Sequence, residues 1–268
     1  MYAVRRSKTR QRGACEAPDV SAASGGRRAA RTTGVGALGP RTDGTVATLP
    51  ARVVSRVIWC IVAALIVATF VVQFIRDRSG TSTVVNLFDS DQKLNFPSAM
   101  KIVLLLSATV LFLVIAITVR DRWHRVRWYG ISAVFALLTI DEMTYMHQRL
   151  SDALHEMLKT SGTLRFGWVL VYLPLLAVLT VVYLPFWRRL ANPLRTQLLV
   201  AALGFAGGSG GIEFVKSELF DEHHWKLSFG LVASVSDSLE LLGLAVLVTA
   251  LLTTIGRATS SVTVNFTR

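Results

Sequence analysis

Apolar and polar positions are segregated along this chain into long blocks. Six largely apolar runs reach the length of roughly 20 residues that a helix needs to cross a hydrocarbon core. They cover about 53–75, 97–119, 127–147, 166–187, 196–216 and 229–256. The third and fifth are interrupted by acidic residues, which weakens their hydropathy. The pattern predicts an all-α, polytopic membrane helical bundle of about six transmembrane helices. Trp59, Trp123, Trp128, Trp168, Trp187 and Trp225 fall near run ends, where an amphipathic ring prefers the membrane interface. Pro174 and Pro185 lie within the fourth run and predict a kink there.

Composition agrees: 52% of residues are hydrophobic and 17% charged, with a mean hydropathy of +0.48. The net charge of +12 is unevenly spread. Residues 1–56 hold eleven basic side chains against Glu16, Asp19 and Asp43. Further arginines bound the runs, at Arg120, Arg122, Arg125 and Arg127, at Arg188, Arg189 and Arg195, and at Arg257 and Arg268. Lys and Arg concentrate in cytoplasmic loops, so this alternation predicts both termini inside. Lys101 fits no loop and sits at the outer end of the second run.

Residues 1–50 are rich in Arg, Gly, Ala, Ser and Thr and cannot bury enough surface to offset their ordering entropy. They read as a disordered basic cytoplasmic tail, 51–258 as the six-helix domain and 259–268 as a short cytoplasmic tail. The basic tail suits anionic lipid headgroups in a bilayer better than nucleic acid. Cys15 and Cys60 give neither a disulfide framework nor a metal-ligand spacing.

Ionisable residues inside spans are costly, and are either paired or functional. Here they are Asp141 and Glu142 in the third run, Glu213 in the fifth, and Asp237 and Glu240 in the sixth, with His147 at the outer end of the third. Counted from the bounding arginines at about 1.5 Å per residue, these acids lie roughly 21–30 Å up. Three helices thus carry carboxylates at one level, in the outer third of the membrane. So many carboxylates cannot all stay ionised in a low dielectric without a cation or shared protons. The expected site is a divalent-metal centre built from Asp141, Glu142, His147, Glu213, Asp237 and Glu240, since carboxylates with imidazole suit zinc, iron or manganese. Asp141 and His147 are six apart and can join one site only if the helix bends or unwinds at its outer end. The competing reading is a structural polar network, in which Lys216 pairs with Glu213.

Gly204/Gly208 and Gly207/Gly211 have the spacing that lets helix backbones approach closely. A locally unwound stretch beside Glu213 is the alternative. Gly207-Gly208-Ser209-Gly210 matches the GxSG of rhomboid proteases, but the sixth run has no histidine to serve as the base for that serine. His155, His223 and His224 lie in outer loops.

Three segments carry a resemblance. Leu138-Thr139-Ile140-Asp141-Glu142, followed by His147-Gln148-Arg149-Leu150, resembles the LSxDE-x4-HERL signature of a group of uncharacterised bacterial multi-pass membrane proteins. Gly211-Ile212-Glu213 is similar to their second acidic segment, and Ser236-Asp237-Ser238-Leu239-Glu240-Leu241-Leu242-Gly243 to their EExLExxG segment. Gln148 and Ser236-Asp237 stand where glutamates are usual. The resemblance implies the same polar layer in a bacterial inner membrane and brings no known activity. A fainter likeness is to the ceramidase and adiponectin-receptor type of transmembrane hydrolase, which wants more histidines within spans.

The functional expectations are a metal-dependent enzyme on a lipid or other apolar substrate, a proton- or cation-coupled transporter, or a non-catalytic membrane partner. No haem, nucleotide or nicotinamide motif is visible. Part of the tail is read as an over-extended gene start. Mass spectrometry of the native N-terminus is expected to find a start downstream of Met1, and a peptide beginning at Met1 refutes this.

Overall fold

The structure is a computed structural model, and it describes residues 50–79, 83–89, 95–158, 167–212 and 227–259. Every regular element among them is a helix. In chain order these are α1 (Ala51–Ser79), α2 (Thr83–Phe88), α3 (Phe96–Thr118), α4 (Arg122–Thr144), α5 (Met146–Leu158), α6 (Val169–Arg188), α7 (Asn192–Ala206), a π-helical turn (Gly207–Ile212) and α8 (Leu227–Thr259). The basic tail, the last nine residues, Glu213, Lys216, Trp225 and the His223-His224 pair lie outside the described residues, as does the side chain of His155.

Local signals set the helix ends. Asn95 caps α3 by accepting from the Ser98 N–H at 2.7 Å, with Pro97 in the first turn. Asp121 caps α4 by accepting from the His124 N–H at 2.9 Å. Each cap satisfies a backbone donor that the first helical turn leaves without a partner.

Among the described residues, four helices are long and apolar enough to cross a membrane: Ala51–Arg76, Phe96–Thr118, Leu170–Arg188 and Leu227–Arg257. The remaining two expected spans coincide with α4 and with α7 plus its π turn, which fall short of that measure. α4 carries Arg122, Arg125 and Arg127 at one end and Asp141 and Glu142 at the other, and α7 runs 15 residues before its geometry changes.

α8 is the hub. It packs against α1, α3 and α7, while α3 and α4 lie along one another and α6 leans on α4. Small residues explain how one helix takes three neighbours. Gly243 meets the α7 backbone, and Gly230 receives Gln73 and Arg76 of α1. Further along α8, Leu241, Leu244, Leu247, Val248 and Leu251 are buried with Leu104, Leu105, Ala108 and Phe112 of α3. Phe112 stacks on Trp128, which in turn meets Phe186 edge-on, and these rings tie α3, α4 and α6 together. Valines and leucines cover the outer faces of α1, α3 and α6, as they do on helices that face lipid tails.

Both glycine readings occur, at different positions. Gly204 and Gly208 lie against α8, whereas Gly207, Gly210 and Gly211 face open space, and the stretch from Gly207 winds as a π helix. A Cβ at Gly243 would lie 2.6 Å from the Phe205 nitrogen and 2.7 Å from the Ala201 oxygen, both backbone atoms that cannot step aside. Gly243→Ala is therefore expected to cost about 1–3 kcal/mol of stability, read as a lower thermal midpoint of the detergent-solubilised chain. Gly207→Ala, with nothing within 4 Å, should leave the midpoint close to wild type.

Candidate functional site

Lys101 begins as an anomaly, the one charged residue in the apolar helix α3. It is 8% exposed, and its stem is buried between α3, α4 and α8. Its ammonium lies 3.1 Å from Glu142 Oε1, 3.1 Å from Asp237 Oδ1 and 3.0 Å from Glu240 Oε2. Two of its N–H donors bond Asp237 and Glu240 of α8, and Glu142 of α4 completes the cluster as an ion pair. Asp237 and Glu240 converge because residues three apart share a helix face.

The α7 backbone presses on the same point. A Cβ at Gly208 would lie 2.8 Å from Glu240 Cγ, and the Ser236 hydroxyl donates to the Gly208 carbonyl at 2.8 Å. Gly208 is thus what lets α7 close over Glu240. Each of the three carboxylates gives one oxygen to Lys101. Among the described residues the second oxygen takes no protein hydrogen bond, yet Gln73 Oε1 is the sole buried side-chain atom left without a partner. The second oxygens of these carboxylates are therefore not sealed off within the protein.

A second group lies beside the first. α4 ends at Tyr145, whose backbone is left-handed at φ 53° and ψ 38°. The chain breaks there and restarts as α5, which brings His147 back over Asp141. The His147 N–H donates to Asp141 Oδ1 at 2.8 Å, and its Nδ1 lies 3.0 Å from Oδ2. Tyr172 of α6 donates its hydroxyl to Asp141 Oδ1 at 3.0 Å. The Trp168 ring packs on the imidazole, and the Trp168 N–H reaches Ser151 of α5 at 3.2 Å, which fixes α5 to the start of α6. With Nδ1 held by a carboxylate, the Nε2 edge of His147 is the one left to take or give a proton.

Of the six residues expected to form one metal centre, the structure describes five, in two groups. Glu142, Asp237 and Glu240 share Lys101; Asp141 and His147 pair with each other and with Tyr172; Glu213 lies outside the described residues. Among the described residues no group of three or more His, Cys, Asp or Glu side chains is disposed to hold a metal ion. The Lys101 ammonium lies among three of these carboxylates. Lys101 was legible as an intramembrane base, since a charge inside an apolar span needs a partner. Tyr172 left no comparable signal. Ser209 donates to Phe205 of its own helix at 2.8 Å, the ordinary resting bond of a helical serine.

Removing Lys101 would leave three carboxylates facing one another with no counter-charge. Lys101→Met is expected to destabilise the chain by about 3–5 kcal/mol, and Lys101→Met with Glu240→Gln should recover part of that loss. Thermal unfolding of the two variants in one detergent checks it; an unchanged midpoint for Lys101→Met would show that the ammonium does not hold the helices.

Residues 58–254 match the family model described as a domain of unknown function, DUF8692. The match spans α1 to α8 and takes in both polar groups, and the chain belongs to that family. No curated protein and no solved structure matches it.

Proposed function

We propose that this DUF8692 protein crosses a bacterial inner membrane six times with both ends in the cytoplasm, and exchanges protons or a small cation with the outer side at the Lys101 cluster, as a coupled carrier does. The six-span reading is supported by helix pairing. α3 and α4 are both 23 residues long and are packed along each other across a short connection. If one crosses, its antiparallel partner crosses too. α7 and its π turn follow α6 after an equally short connection and pack along α8. In that topology the arginines at both short connections face the cytoplasm. Lys101, near the start of α3, and Glu142, near the end of α4, then meet towards the outer face.

The observation that carries the functional reading is the charge count. One ammonium faces three carboxylates at 3.0–3.1 Å, and each carboxylate keeps a free oxygen. If all are ionised the cluster holds two unbalanced negative charges in a low dielectric, a state that protons or a cation would relieve. Beside the cluster, Asp141 holds His147 and Tyr172, two further groups able to exchange protons.

The test is a pH-sensitive dye trapped in proteoliposomes, with Na⁺, K⁺ or Mg²⁺ gradients as probes. Wild type is expected to move protons against at least one of these gradients, and Glu240→Gln to lose most of that flux. Wild-type vesicles that match protein-free ones under all three gradients would refute the reading. A metal-dependent enzyme acting on a lipid is the other reading of the same free oxygens. It requires a stoichiometric divalent ion in wild-type protein that Glu240→Ala loses, which elemental analysis reads directly.

A further inference from the structure

At the opposite end of the α4–α6 pair from the Lys101 cluster, the two helices enclose an open groove of about 640 Å³. Trp123, Val126 and Tyr183 form its walls, and Arg122 and Arg127 stand on its rim. Gly130 gives the Tyr183 hydroxyl room against α4, where a Cβ would meet it. Arg127 lies over both rings, 5.4 Å from Trp123 and 5.6 Å from Tyr183, and donates to the Val182 carbonyl at 3.1 Å. Arg189 covers Trp123 at 4.7 Å.

These guanidinium groups have no acid to answer them. Among the described residues, none of Arg122, Arg125, Arg127, Arg188, Arg189 and Arg195 forms an ion pair with a carboxylate. The groove's one acid, Asp121, is turned to His124, accepting from its backbone N–H at 2.9 Å and lying 2.6 Å from its Nδ1. Those bonds, the backbone one first, hold its carboxyl below the usual aspartate range. A cluster of cations over aromatic rings, whose one neighbouring acid is bonded to His124, can take an anion from outside. Guanidinium forks match phosphate oxygens in geometry as well as charge. Below the rim the walls turn apolar, formed by Trp123, Val126 and Tyr183. An anion that fits both parts carries a hydrocarbon chain.

We infer that this groove is a binding site for an anionic phospholipid, its phosphate on Arg122, Arg127 and Arg189 and one acyl chain along Trp123, Val126 and Tyr183. The site is separate from the Lys101 cluster and independent of the carrier reading. It also differs from the basic tail, which would attract such lipids without a built groove.

The experiment uses the full chain in detergent with phosphatidylglycerol, phosphatidylcholine or inorganic phosphate added, read by native mass spectrometry and by thermal shift. Phosphatidylglycerol is expected to stay bound and raise the midpoint, and the other two to do neither. Arg122→Gln should weaken phosphatidylglycerol binding about fivefold, and Arg122→Gln with Arg189→Gln about thirtyfold. Val126→Trp fills the groove from an exposed position without changing charge, and should weaken binding as well. Arg27→Gln with Arg28→Gln, in the tail, should leave it unchanged. Equal retention of phosphatidylcholine, an equal response to inorganic phosphate, or a loss in the tail variant matching that in the groove variants would overturn the assignment. So would undiminished binding in both the double-arginine and Val126→Trp variants.

Discussion

A single ammonium inside an apolar bundle needs a counter-charge, and much of this architecture follows from how Lys101 finds three. Desolvating a charge costs several kcal/mol unless it is paired and hydrogen-bonded. Glu142 comes from α4, Asp237 and Glu240 from α8, and all three end within 3.1 Å of Lys101 on α3. The pairing fixes rotation as well as position. Turning α8 by one residue, about 100°, would carry its i,i+3 acids away from the lysine. The charge cluster thus sets which face of each helix looks inward, a choice that hydrophobicity alone leaves loose between lipid and core.

Close backbone approach makes those distances attainable. α8 meets α7 through Gly243 and Gly204, and α1 through Gly230, where ordinary side chains would hold the helices apart. Gly208 then lets the π turn press against Glu240, and Ser236 ties α8 to that turn through the Gly208 carbonyl. π-helical turns relax the regular i→i−4 ladder and occur often at functional sites. Here the turn lies directly over a buried carboxylate.

The two ends of the α4–α6 pair have opposite electrostatic character. At one end acids outnumber their single base, and Asp141, His147 and Tyr172 form a second polar chain beside them. At the other, arginines lie over aromatic rings with no carboxylate to pair with them among the described residues. α6 bridges the two ends, with Tyr172 near its start and Tyr183 towards its finish. Since it is mostly exposed and packs chiefly on α4, it is the helix whose position depends least on the α8 core.

The sequence by itself determined that the chain is helical and built to enter a membrane, because runs of about 20 apolar residues have few other uses. It also singled out the acids, since ionisable groups in such runs are conspicuous. It left open whether those acids awaited a metal, protons or each other. Residue spacing describes one helix at a time, while a partner depends on which helices adjoin. Only the tertiary structure put Lys101 among Glu142, Asp237 and Glu240, across more than 130 residues of chain in the case of α8. Only it showed that a left-handed Tyr145 folds His147 back onto Asp141, overcoming a spacing of six that a straight helix would keep apart. Tyr172 stayed hidden for the same reason, as a tyrosine at a helix end carries no mark of the carboxylate it will meet.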